Sequence, residues 1–343
     1  MILSRTAYRL SVAVATWAGL SQAASNYAIA DIFDPKNFFT EFDFFSQADP
    51  TNGFVKYVDA STANRDGLAG FAKGSVYLGV DHKNTTDAGR SSVRVTSKKA
   101  FTKGLFIADI AHMPAGSTNA GSCGLWPAFW MFGPNWPNSG EIDILEGVNT
   151  QANNSITLHT SGNCRMTNKG SLASTKLSNA DCFGNLGCKQ DTAVANTYGA
   201  GFNAAGGGVY ALEWTDDTIS VWFFTRGSSL ATRLSRDANN SVSDTSSFGQ
   251  PLATFVGGDG CSIDGHFKDH NIVLNTGFCG DWAGKVWSDD KTCSALASTC
   301  EEYVGANPSA FTQAYWLVNS IKVYQQDAAA SKGGKRKGMR FAA

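Results

Sequence analysis

Gly140-Glu141-Ile142-Asp143-Ile144-Leu145-Glu146-Gly147 sets three carboxylates into six residues of otherwise apolar, strand-forming sequence. On a β-strand successive side chains point to opposite faces, so Glu141 and Asp143 share one face while Ile142 and Ile144 point into a core. Strict alternation would then send Glu146 inward with the isoleucines. One extra residue near Ile144-Leu145, a β-bulge, would return Glu146 to the acidic face, which is a common way of re-aiming a side chain beside a functional site. A bland alternative is an amphipathic strand with its charges in solvent.

The flanking sequence decides between these readings. Upstream runs Gly124-Leu125-Trp126-Pro127-Ala128-Phe129-Trp130-Met131-Phe132-Gly133-Pro134-Asn135-Trp136-Pro137, and downstream Ile156-Thr157-Leu158-His159-Thr160. Carboxylates beside indole rings suit a sugar, because tryptophan faces pack on the apolar C–H faces of a pyranose while polar tips bind its hydroxyls. Trp136, between prolines on a loop five residues before Glu141, is the leading stacking candidate. Trp282, in Gly280-Asp281-Trp282-Ala283-Gly284, is the second. Trp130 suits the cleft or the core equally, and Trp126, Trp214 and Trp222 read as sandwich interior. His159 lies on the next strand, where it either binds a sugar hydroxyl or an acid group or is structural.

With W-P-A-F-W followed by G-E-I-D-I-L-E-G in the right order and distance, the chain resembles glycoside hydrolase family 16, in its fungal laminarinase or endo-1,3(4)-β-glucanase branch. The similarity runs from about Asp34 to about Tyr324, includes the Trp282 segment and leaves out both termini. The resemblance implies an all-β fold: an antiparallel β-sandwich (jelly roll, concanavalin A-like) with a concave substrate cleft. It implies a secreted endo-acting β-glucanase that cuts β-1,3 glucans with retention of configuration, with mixed β-1,3/1,4 glucans left open. On that reading Glu141 is the nucleophile, Glu146 the acid and later base, and Asp143 orients Glu141 by a hydrogen bond. In retaining enzymes the two reacting carboxyls sit roughly 5 to 5.5 Å apart. Trp282 resembles the family's subsite tryptophan, and the Leu-His-Thr match strengthens a functional reading of His159.

Composition agrees with this picture. The net charge of −1 gives no reason to expect nucleic acid as a partner, and it becomes −8 once Arg5, Arg9, Lys332, Lys335, Arg336, Lys337 and Arg340 are set aside, so the body is acidic. Residues 1–23 read as a cleaved secretory signal: two arginines, an apolar run over residues 10–20 too short to span a bilayer, then Ser21-Gln22-Ala23. The mature chain, residues 24–327, is expected to be a single catalytic sandwich, extracellular, monomeric and free of the membrane. Residues 328–343 are basic and too poor in apolar side chains to pack, so disorder is expected there. No cofactor and no metal site is expected, though a structural calcium stays open.

Eight cysteines in a secreted chain point to disulfides. Cys182–Cys188 and Cys293–Cys300 are spaced to close locally, but long-range staples are equally open, and zinc lacks a C-x-x-C pair. Sequons at Asn84, Asn153 and Asn239 would carry glycans, with Asn153 near the proposed cleft.

Strands are expected over residues 75–81, 91–101, 105–113, 128–132, 141–148, 209–215, 218–225, 271–276 and 315–324, with Asp216-Asp217 turning a hairpin. Residues 161–208 and 255–265 read as loops, the former stapled by cysteines, and helical periodicity is scarce. Two other functions fit parts of this pattern. A transglycosylase that hands the sugar to another glucan would use the same residues, whereas a non-catalytic glucan-binding sandwich would not need three acids held so close.

Overall fold

Period-two alternation of apolar and polar residues over many short segments folds here into two eight-stranded sheets stacked face to face, as the sequence predicts. The structure, a computed structural model, describes residues 27–116, 122–168, 170–171, 174–236, 242 and 244–326. The signal-peptide reading of residues 1–23, the tail reading of 328–343 and the sequon at Asn239 lie outside these described residues.

The sheet carrying the acidic strand has the order Thr175–Asn179, Cys188–Thr192, Ser155–His159, Glu141–Glu146, Leu125–Phe132, His270–Phe278, Arg94–Phe101 and Phe42–Phe44. The other runs Ala253–Val256, Thr218–Thr225, Gly208–Trp214, Gly104–His112, Trp316–Gln326, Ser75–Leu78 and Ala69–Ala72, with Tyr27–Phe33 also paired to Trp316–Gln326. Both sheets are antiparallel. A two-stranded parallel pair, Val55–Tyr57 with Arg90–Ser92, lies apart from them.

Between the sheets, inward residues such as Met131, Ile142, Ile144, Leu158, Leu212, Trp214, Ile272 and Trp316 form one continuous core. Trp214 is therefore interior, as expected. Trp222 is buried too, but one step out of phase: it points from the outer face of the other sheet into a satellite cluster with Phe224 and Phe248, capped by the helix Ser229–Ser235. A third cluster gathers Leu125, Phe278, Trp287, Tyr303 and Phe311 around two disulfides at one end of the sandwich.

Two loop expectations need correction. Residues 161–208 contain the strands Thr175–Asn179 and Cys188–Thr192 and the helix Gly199–Ala204, and residues 255–265 take in the end of Ala253–Val256 and the start of the helix Ile263–His266. These are polar edge strands and single-turn helices, whose side-chain pattern carries little periodic signal. Cys300–Ala306 is similarly short, and its local cue is the N-cap Thr299, whose hydroxyl accepts from the Glu302 N–H at 3.2 Å while the Glu302 carboxylate accepts from the N–H of Ser298, one residue before the cap.

The eight cysteines pair as Cys123–Cys293, Cys164–Cys261, Cys182–Cys188 and Cys279–Cys300. Cys182–Cys188 closes locally, but Cys293 and Cys300 each reach a separate distant partner. Closing a loop of 170 residues removes far more denatured-state freedom than closing one of 6. Replacing Cys123 and Cys293 together by Ala is therefore expected to lower the unfolding free energy by about 2 to 5 kcal/mol. Guanidinium unfolding checks this, and the Cys182→Ala/Cys188→Ala pair should lose less.

Candidate active site

The acidic strand does carry an extra residue. Against Leu125–Phe132 the register runs Glu141 to Phe132, Asp143 to Trp130, then Leu145 to Phe129 and Glu146 to Ala128. Against Ser155–His159 it passes from Asp143–Thr157 to Glu146–Ser155, three residues facing two. Ile144 and Leu145 both go into the core, at 1% and 0% exposure, and Glu146 comes out on the same face as Glu141 and Asp143. Gly140 sets the entry to this strand: its φ is +78°, and a Cβ there would lie 2.3 Å from the Phe267 ring.

The three carboxylates sit in a cleft of two adjoining lobes, about 330 and 430 Å³, and Glu141, Glu146, Trp126 and Trp136 border both. The first lobe is walled by Tyr57, Arg94, Trp130, Phe132 and Asn275. The second is walled by Thr157, His159, Leu186, Lys189, Trp282 and Lys285. The carboxylates thus lie where the lobes meet.

Each aromatic candidate can now be placed. Trp136 is 50% exposed on its loop, which leaves its ring available at the cleft. Trp130 walls the first lobe rather than filling the core; its Nε1 donates to Asn275 Oδ1 at 2.7 Å, and its ring stacks on Phe132. Trp282 lines the second lobe, edge-on to Trp126 at 5.8 Å, with Lys189 Nζ 4.6 Å from its ring centroid. Its turn requires Gly280, whose φ is +65° and whose Cβ would meet the Thr51 carbonyl at 2.6 Å.

Trp126 overturns its core assignment. It shares the outward phase of Ala128 and Trp130, and its Nε1 donates to Glu146 Oε1 at 2.7 Å. The even-numbered positions of that strand were the available signal, since Trp126, Trp130 and Phe132 follow one alternation. Arg94 and Asn275 were missed as well. The Arg94 guanidinium, 8% exposed, lies over Phe45 and Trp130 at 4.6 and 5.0 Å, and Asn275 Nδ2 donates to the Tyr57 hydroxyl at 3.1 Å.

His159 Nε2 lies 3.3 Å from Asp143 Oδ2 and 3.9 Å from Glu141 Oε1. With the ring protonated the contact with Asp143 is an ion pair, and Asp143 Oδ2 is otherwise buried without a partner among the described residues. No hydrogen bond joins Asp143 to Glu141 among them either, so the expected orienting bond is replaced by this shared cation. His159 Nδ1 lies 3.0 Å from the Gly184 carbonyl; donating there leaves Nε2 toward the acids. Burial opposes charge on this ring, but Asp143 and Glu141 outweigh it and lift the imidazolium to about 10.

Burial first, and Asp143 second, push the carboxyls of Glu141 and Glu146 well above the ordinary range. Their counterweights differ. Glu141 is drawn back toward ionisation by His159, by the Trp136 indole and by Arg94. For Glu146 the Trp126 hydrogen bond is the leading counterweight, and the charge of Glu141 adds to the upward push. Both carboxyls are lifted to about 8, with His159 also drawing Glu146 back, so the two differ in their partners rather than in the direction of the shift.

Two groupings among the described residues have metal-ligand proximity. Cys164, Cys261 and His266 form one, but the two sulfurs are joined as a disulfide; Glu141, Asp143 and His159 form the other, which is the acid cluster itself.

The family model of the XgeA-like, catalytic GH16 domain matches residues 42–324. The chain belongs to glycoside hydrolase family 16. Among its GH16 relatives, the endo-1,3(4)-β-glucanase of Arthroderma benhamiae is 44% identical over 317 residues, covering 90% of this chain and 67% of the relative. The endo-1,3(4)-β-glucanase xgeA of Emericella nidulans is 40% identical, covering 97% of this chain but 53% of its own length. This chain spans about half the length of most of the relatives it matches. A GH16 laminarinase 16A structure from Phanerochaete chrysosporium, with two β-glucans in its donor and acceptor sites, superposes with a TM-score of 0.79 at 38% identity, covering 88% of this chain and all of that one. The structure of an elongating GH family 16 β-1,3-glucosyltransferase gives 0.75 at 42%, covering 87% and 100%. The GH16 sandwich is the jelly roll that the sequence signature implied.

Two titrations follow from the counterweights. Trp126→Phe removes the donor that favours ionised Glu146, so that carboxyl should titrate at higher pH than in the wild type. His159→Gln removes the cation that favours ionised Glu141, so Glu141 should likewise move up. Carbon-13 NMR titration of the glutamate side-chain carboxyls reads both shifts, and a downward movement in either case contradicts the electrostatic account.

Proposed function

We propose that this chain is a secreted, endo-acting β-glucanase that hydrolyses β-1,3-glucan, and mixed β-1,3/1,4-glucan beside it, with retention of configuration through a glycosyl-enzyme intermediate. The observation that carries the reading is the bulge at Ile144–Leu145, which brings Glu146 out beside Glu141 at the junction of the two aromatic lobes.

Glu141 attacks the anomeric carbon while Glu146 gives its proton to the departing glycosidic oxygen. Esterification of Glu141 removes its negative charge, so Glu146 then loses its proton more readily and can serve as base for the incoming water. Asp143 and the His159 imidazolium hold the field between the two glutamates fixed, and neither is asked to react. Trp136, Trp130 and Trp282 grip sugar rings on either side of the cleavage point, and Trp126 steers Glu146. No step needs a cofactor. Laminarinase structures holding β-glucans support the substrate class. Four disulfides suit an oxidising, extracellular setting, and action as a monomer completes the proposal.

Transfer to a second glucan is the alternative, favoured by the 42% identity to an elongating β-1,3-glucosyltransferase and by the built second lobe around Trp282. Laminarin, lichenan and cellulose, each followed by proton NMR and product sizing, decide between them. Hydrolysis predicts β-configured shorter products as the first formed; transfer predicts chains longer than the donor. Glu141→Gln and Glu146→Gln should each reduce turnover of laminarin by about 10²- to 10⁴-fold or more with the fold intact. Wild-type rates in either variant would refute the corresponding role.

A further inference from the structure

A bulge has to dispose of the backbone groups it pulls out of the ladder. In this sheet Asp143 faces Thr157 and Glu146 faces Ser155, so the acidic strand has one peptide too many for its neighbour, and the carbonyl of Ile144 and the N–H of Glu146 fall in the mismatch. Both residues are buried.

One side chain answers both. Asn154, 1% exposed, accepts from the Glu146 N–H through Oδ1 at 2.8 Å and donates through Nδ2 to the Ile144 carbonyl at 2.8 Å. Its carboxamide stands in for the peptide that the neighbouring strand lacks. The residue is itself anchored: its N–H donates to Thr197 Oγ1 at 3.3 Å, Thr197 in turn donates to the Val194 carbonyl, and the Asn154 carbonyl accepts from the Thr192 N–H. Asn154 itself lines neither lobe of the cleft, and its bonds to the acidic strand are to the backbone on either side of the bulge.

We propose that Asn154 is a positioning residue that locks the bulge and thereby holds the Glu146 carboxyl in the cleft. The proposal rests on Glu146 being the acid of the reading above. Without the carboxamide, the buried Ile144 carbonyl and Glu146 N–H regain partners only by shifting register, and any shift by one residue turns Glu146 toward the core. Asp at this position is a conditional substitute. A protonated carboxyl can donate to Ile144 and accept from Glu146 as the amide does, whereas an ionised one loses the donor. The titratable groups around it are Glu146, whose N–H donates to it, and the buried Tyr210 phenol, with Asp191 accepting from the neighbouring Ser155 and the Tyr198 phenol near Glu146.

The test compares full-length wild type, Asn154→Ala, Asn154→Asp and Glu146→Ala on two substrates: laminarin, whose leaving group needs a proton, and 2,4-dinitrophenyl β-laminaribioside, whose leaving group does not. Glu146→Ala should lose laminarin turnover and keep the initial burst of dinitrophenol. Asn154→Ala should show the same split in milder form, with laminarin turnover down about 10- to 100-fold, less than outright loss of a general acid, and the burst within a few fold of wild type. Asn154→Asp should approach wild type at low pH and lose laminarin activity as the pH rises. If Asn154→Ala lowers both substrates equally, or leaves both unchanged, while Glu146→Ala still shows the split, Asn154 is not a positioning residue. If Glu146→Ala itself loses the burst, the acid assignment fails instead. Should Asn154→Ala not fold, Asn154→Asp decides the question, and a pH profile parallel to wild type overturns the proposal.

Discussion

The side-chain period of a β-strand is two, and the acidic strand breaks it once. The layout of the acidic cleft depends on that break, because Glu141 and Glu146 share one face of the sheet although their spacing of five residues puts them on opposite faces of a regular strand. Burying Ile144 and Leu145 side by side supplies the apolar reward for the irregularity, and Asn154 supplies the hydrogen bonds. The core and the site are therefore built by the same dislocation.

A second constraint follows from placing three buried or half-buried acids in one groove. Like charges a few ångströms apart repel by about 4 kcal/mol per pair at the effective dielectric of such sites, so not all can ionise without cations. His159 and Arg94 provide them, and both approach from the side of Glu141 and Asp143. Glu146 has an indole N–H rather than a cation as its nearest partner. That asymmetry gives two chemically identical side chains different surroundings. The aromatic walls contribute to the same end: they keep the dielectric low and offer faces that suit sugar rings.

The walls are held by parts of the chain far apart in sequence. Cys123–Cys293 ties the start of the Trp126 strand, and Cys279–Cys300 the residue before the Trp282 turn, to the helical segment over residues 291–306. Asn149 joins that strand start to that turn by accepting from the Gly124 N–H and donating to the Ala283 carbonyl, each within about the length of an ordinary hydrogen bond. Residues 49–53 close the other side, where the Asp281 N–H donates to the Thr51 carbonyl at 2.9 Å.

The sandwich, most of its central strands, the acid triplet and the need for a bulge could all be read from the linear order of residues, because alternation is local and a carboxylate out of phase is visible without coordinates. Trp136 and Trp282 were legible for a related reason, since prolines and glycines around an indole mark a loop. Tertiary structure alone decided the cysteine pairing, which depends on distances between loops, and the cleft position of Trp126, which follows from sheet phase rather than residue type. It also decided Arg94, Asn275 and Asn154, ordinary polar residues on other strands. Nothing beside them in sequence sets them apart, and they acquire a role only when sheet pairing brings them against the acids or the backbone that carries them.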